Sequence, residues 1–153
     1  MARFTFRLQP VLEMREREER DKKLALAELE RERLGMENQI RSYQLNIEHE
    51  QASLAEMLVG KGGIDFRGAR LQANAALSNR FSAQRVVLEL AGVHRRIEQA
   101  RRELVEASTR RKAVELLRER QREAFESEQR RRESGELDDI SVMRHARREG
   151  IFL

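Results

Sequence analysis

The chain has 153 residues, 38% of them charged and 5% aromatic, with a net charge of +4, one proline and no cysteine or tryptophan. That balance excludes a conventional globular core and suits a single helical rod that buries one seam and solvates the rest. It also excludes a disulfide framework and a thiolate metal site. No apolar run approaches the roughly 20 residues of a membrane span, and Met1 to Arg7 lacks the apolar core of a signal peptide, so a cytoplasmic protein is expected.

Taken in order, Phe4, Phe6 and Leu8 alternate with Thr5 and Arg7 before Pro10. Proline is tolerated in a first helical turn, where its missing N–H goes unused, so a helix is predicted over 8–59. A strict heptad follows through Leu8, Leu12, Arg15, Glu19, Lys22, Leu26, Leu29, Arg33, Met36, Ile40, Tyr43, Ile47, Glu50, Leu54 and Met57. Its alternating spacing of three and four is that of a left-handed coiled coil. Three charged intruders fall together, so the seam is expected to be weakest between Arg15 and Lys22.

Gly60-Lys61-Gly62-Gly63 then breaks the pattern. Glycines cannot continue a helix cheaply and suit the left-handed turn past its end. Asp65 offers a side-chain oxygen to cap a following helix. The stretch 60–64 therefore reads as the tip of a hairpin. A phosphate-binding loop is the rival, but the lysine and hydroxyl spacing and the preceding strand are missing. The second helix is predicted over 65–133, with Ala76, Ala83, Val86, Leu90, Val93, Ile97, Ala100, Leu104, Ala107 and Val114 in its seam. Leu77, Phe81 and Leu88 read as widening that stripe near the tip.

Beyond Leu116-Leu117 the pattern fades into an Arg- and Glu-rich run ending at Glu133. Ser134-Gly135 is expected to interrupt, leaving a C-terminal tail over 134–153 that contains Leu137, Ile140, Val142 and Met143. Acids first (Asp138, Asp139) and bases last (Arg144, Arg147, Arg148) suit the dipole of a short helix. The predicted fold is all-α: a long two-helix antiparallel coiled-coil hairpin with an overhanging C-terminal helix. Folding about Gly62 sets Leu8 opposite Leu116-Leu117, sets Ile40 opposite Ala83 and Val86, and leaves Arg118 to Glu133 packed against nothing. Parallel dimerisation through one arm is the alternative; the central turn favours a hairpin that is monomeric when free.

Residues 1–60 carry 10 basic and 12 acidic side chains, and residues 61–153 carry 21 and 15, so charge runs from −2 to +6 between the arms. The second arm is the one that would seek an acidic partner. A helical rod offers no concave pocket in which to shift a pKa. His49, His94 and His145 are far apart and read as solvated bystanders, and Tyr43 and Phe81 read as packing. No catalytic, metal-binding or cofactor-binding residues are expected, no cofactor is called for, and the chain reads as no enzyme.

The two ends carry a resemblance. Phe4-x-Phe6-x-Leu8-x-x-Val11-Leu12-x-x-Arg15-x-x-Glu18-Glu19 resembles the opening of the flagellar export protein FliJ family. Arg110-Arg111-Lys112-Ala113-x-Glu115-x-Leu117-x-Glu119-Arg120, followed by Glu136-Leu137-Asp138-Asp139-Ile140, is similar to that family's closing motif. The resemblance implies a non-enzymatic stalk, similar to the gamma-subunit coiled coil of rotary ATPases, in the flagellar type III export apparatus. It implies binding of a hexameric (FliI-like) export ATPase by the paired ends, of a (FlhA-like) export-gate membrane protein early in the second helix, and of export chaperones. It also implies a cytoplasmic location, peripheral to the export apparatus of the inner membrane.

On that reading the ATPase-contact candidates are Arg118, Arg120, Arg122, Arg130, Arg131 and Arg132, and the gate-contact candidates are Leu71, Leu77 and Phe81. The plainer reading of the arginines is i, i+4 pairing with Glu119, Glu123, Glu126 and Glu128. Three alternatives stand beside the flagellar stalk: the equivalent stalk of a virulence-type secretion system, a basic coiled coil that binds nucleic acid, and a structural spacer. Nucleic acid is not expected, because no aromatics interleave the basic run to stack bases.

Overall fold

Two helices account for nearly all of the chain: α1, Gln9–Val59, and α2, Phe66–Arg148. The structure is a computed structural model and describes residues 3–59, 62, 63, 65–148 and 150, among which there is no strand. The fold is an all-α antiparallel hairpin of two helices. Pro10 sits in the first turn of α1, and the chain enters that turn with Gln9 N–H donating to the Phe6 carbonyl at 3.2 Å. Of the expected tip only Gly62 and Gly63 are described, while Gly60, Lys61 and Ile64 lie outside the described residues. Gly63 takes the left-handed conformation, with φ at 99°. Asp65 caps α2, its Oδ1 accepting from the N–H of Arg67 at 3.1 Å and of Gly68 at 3.0 Å.

The same cap explains Gly68. A Cβ at this position would stand 2.5 Å from Asp65 Oδ2, so any side chain pushes the carboxylate off its two bonds. At Gly92 a Cβ meets nothing within 4 Å. Replacing an exposed helical glycine by alanine ordinarily stabilises by about 1 kcal/mol. Gly92→Ala is expected to raise the melting temperature by roughly 2–4 °C on that account. Gly68→Ala is expected to give no rise, because the propensity gain is offset by a cap worth about 1 kcal/mol. Equal rises in thermal melts of the two variants would contradict this account of the cap.

At the other end, α2 continues through Ser134-Gly135, where the sequence suggests a break. The penalty of one exposed glycine is about 1 kcal/mol, and the glutamates and arginines around it are good helix formers. Neither residue is followed by a turn, so nothing forces the helix to stop.

The chain divides into two compact units, Arg20–Val105 and Met1–Glu19 with Glu106–Leu153. In the first, the helices run antiparallel and are tied by Lys22 to Glu103 at 2.7 Å, Glu32 to Arg96 at 2.7 Å, Glu30 to Arg101 at 3.0 Å and Glu50 to Asn79 at 2.7 Å. Val86, Val93 and Ile97 are buried, whereas Leu26, Ile40, Ile47, Leu90 and Leu104 are half-buried, because a two-helix seam has no third layer above it. The seam phase read from the heptad holds in this unit. Its register holds at Ile40, which lines one groove with Ala83, and is displaced at Glu50, which meets Asn79 where folding about Gly62 would set Asn74 opposite. The seating of Val86, Val93 and Ile97, rather than the midpoint of the tip, fixes the alignment. Leu77, Phe81 and Leu88 do not widen the seam. They are 51%, 68% and 75% exposed.

In the second unit Leu12, Phe6, Ala107 and Glu19 are buried. Phe4 packs on Phe125, with ring centroids 5.7 Å apart. The segment before α1 thus reaches back along α2, and the expected bare overhang from Arg118 is corrected. Arg118, Glu119, Phe125, Ser127 and Gln129 are all partly shielded, and continuous exposure begins at Arg130. Leu116 and Leu117 face outward, and Val114 and Arg118 take the seam positions instead.

Candidate interaction surfaces

Of the charged intruders of the first heptads, Glu19 and Lys22 are paired across the helices, whereas Arg15 pairs with Glu18 on its own helix at 2.8 Å. In the Glu19 unit, Arg111 donates Nε to buried Glu19 and Nη1 to Glu115. The bond from Glu19, then that from Glu115, raises the Arg111 pKa above its ordinary value. In the Arg20–Val105 unit, Lys22 donates to Glu103 and holds that carboxyl below the usual carboxylate range, with Gln99 adding to the effect. Two of the three charged seam positions in the stretch expected to be weakest thus carry a cross-helix ion pair, one in each unit. Sequence reasoning missed it, although Arg111 falls in phase with Ala107 and Val114 and so occupies a seam position opposite in charge to Glu19. Near the tip, Glu50 and Asn79 form a second polar layer, in which Glu50 Oε2 is buried with no partner.

The outer face of α2 near the tip is apolar and cationic. Leu77, Phe81 and Leu88, spaced four and seven apart, share one side of the helix, whereas Leu71, 66% exposed, lies about 120° round from Leu77. The structure thus brings two of the three gate candidates together, adds Leu88, and leaves Leu71 apart. An open groove lined by Ile40, Ala83, Val87 and Leu88 runs beside them. From Phe66 to Leu88 there are four arginines (Arg67, Arg70, Arg80 and Arg85) and no carboxylate. Residues 106–153 carry 12 basic and 11 acidic side chains, so the positive excess of the second arm lies near the tip and not in the arginine-rich run.

The six arginines of that run differ in their surroundings. Arg118 is partly buried at a seam position. Arg122 is tied to Glu119 at 2.7 Å and Glu126 at 3.5 Å, and Arg132 to Glu128 at 3.1 Å. Arg120, Arg130 and Arg131 are exposed and have no ion pair among the described residues. The i, i+4 reading thus holds for two side chains, and three remain open to a partner.

Among the described residues no cluster of His, Asp or Glu could hold a metal ion, and no helix is long and apolar enough to cross a membrane. What the geometry offers is a pair of antiparallel helices with a polar-punctuated seam: a coiled-coil hairpin. The family model described as the flagellar FliJ protein matches residues 4–150, and the chain belongs to that family. No curated protein and no solved structure matches it. Membership makes the chain a flagellar export protein, from a family of non-catalytic export components.

Proposed function

We propose that the chain is the stalk of the flagellar export apparatus: it binds and stimulates the hexameric export ATPase through its free end, and links that ring to the export gate and to export chaperones. It works in the cytoplasm against the membrane-embedded gate. The observation that carries the ATPase contact is a pair of arginines at the open end of α2: Arg130 and Arg131 stand exposed, with no ion pair among the described residues, where the cover of the N-terminal segment ends. Arginine fits the task, because its permanent charge and planar fork can pair with several carboxylates in turn. Arg118, Arg122 and Arg132 serve it less, being engaged in the seam or with neighbouring glutamates.

Reversing Arg120, Arg130 and Arg131 to Glu together is expected to reduce ATPase stimulation to the basal rate. The melting temperature should move by no more than about 3–6 °C, since each exposed substitution stays within about ±0.5 kcal/mol and three are made together. Unchanged stimulation would sink the stalk reading. For the gate contact, Leu77 and Phe81 are the leading candidates of the original three, with Leu88 beside them. Leu77→Ala with Phe81→Ala is expected to spare ATPase binding and to weaken capture of the gate protein in a pull-down; a loss of ATPase binding instead would place the two contacts the other way round.

A further inference from the structure

The last turns of α2 carry a face that the seam does not use. Glu133, Glu136, Leu137, Ile140, Met143, Arg144 and Arg147 fall within an arc of about 120° on a helix of 3.6 residues per turn. All seven are exposed, Leu137 at 67%, Ile140 at 46% and Met143 at 65%. Leu137, Ile140, Ser141, Arg144 and Arg147 line a shallow groove there. None of Glu133, Glu136, Arg144 and Arg147 has an ion pair among the described residues. Their own helix cannot pair them with one another: Glu136 and Arg144 are eight residues apart, about 12 Å along the axis.

We infer that this face is a self-association surface, on which a second copy lies antiparallel about a twofold axis at Ile140. The pattern is self-complementary about that residue. Antiparallel overlap sets Ile140 on its own counterpart and Leu137 on Met143. It sets Glu136 against Arg144 and Glu133 against Arg147, each pair occurring twice, as an isologous contact requires. A parallel overlap would set Glu133 on Glu133 and Arg144 on Arg144, so the charge order selects the antiparallel one. The overlap involves only residues past the last cover on α2, so it leaves the hairpin seam intact. With three apolar side chains per copy it falls well short of the roughly 800 Å² per partner of a standard interface, and the association is weak and concentration-dependent. The inference is independent of the ATPase reading.

The chain has no cysteine, so Ile140→Cys introduces its only thiol. Under mild oxidation of the full chain, Ile140→Cys is expected to form a disulfide-linked dimer about tenfold faster than Val142→Cys on the opposite side, because the interface raises the effective thiol concentration. In sedimentation at high concentration, Glu136→Arg and Arg144→Glu should each abolish the dimer, and the two together should restore it. Equal cross-linking at 140 and 142, a double variant that stays monomeric, or a parent chain that is monomeric at every concentration would each overturn the proposal. The last outcome would assign the face to another protein.

Discussion

Ile97→Ala is expected to lower the stability of the chain by roughly 2–4 kcal/mol, the range for truncating a buried isoleucine. Ile97 is 2% exposed and Val93, one turn before it, is fully buried, so this is the driest point of the seam. On either side Arg96 pairs with Glu32 and Arg101 with Glu30, both across the helices. Ile40→Ala is expected to cost about half as much, because Ile40 is only half-buried and the lost transfer energy scales with the area removed from water. Denaturant midpoints at constant m-value measure the difference. Equal losses at the two sites would mean that the seam is uniformly packed, against the burial seen here.

That gradient is what the sequence could not convey. The heptad of the first arm was legible almost to the residue: every seam position from Leu12 to Leu54 is shielded in the folded chain, and only Leu8 and Met57, at its ends, are just exposed. Periodicity reports which side faces the partner, but not how deep each residue lies, since depth depends on what stands opposite. Val93 and Ile97 were indistinguishable from Leu90 and Leu104 on spacing alone. The Phe4–Phe125 contact was illegible for a related reason, as nothing in the local pattern says that a segment before Pro10 runs back along the other helix. The reason for a glycine at position 68 is likewise absent from the sequence, because it lies in the fold: Asp65 Oδ2 occupies the space of its missing Cβ. Of the candidate sites, the residue types were legible, but not which arginines were already engaged. Short-range pairs such as Arg122 with Glu119 compete with longer ones, and their geometry decides.

Glu19→Ala tests whether the ion-paired layer stabilises the seam or merely fills it. Glu19 is 6% exposed and bonded to Arg111. Deleting one partner of a buried pair strands the other charge, and a loss of roughly 3 kcal/mol is expected, at the low end of such cases because Arg111 keeps Glu115. Replacing both partners at once, Glu19→Leu with Arg111→Met, is expected to recover most of that loss, since an apolar pair of similar volume avoids the desolvation cost. If the double variant is no more stable than Glu19→Ala, the pair itself stabilises the layer. The pH dependence follows from the directions of the shifts. Glu103, lowered first by Lys22, and Glu30, lowered first by Arg33, contribute stability that is fully present above their ordinary 4.5 and lost as pH falls through their folded values. Arg111 is raised, so its contribution is fully present below the ordinary arginine range and is lost only as pH rises beyond it. Melting temperature is therefore expected to be flat across neutral pH and to fall in acid. Lys22→Met removes the largest cause of the Glu103 shift and should make the acid fall shallower, whereas an unchanged acid limb would show that the Lys22–Glu103 pair takes no part in it.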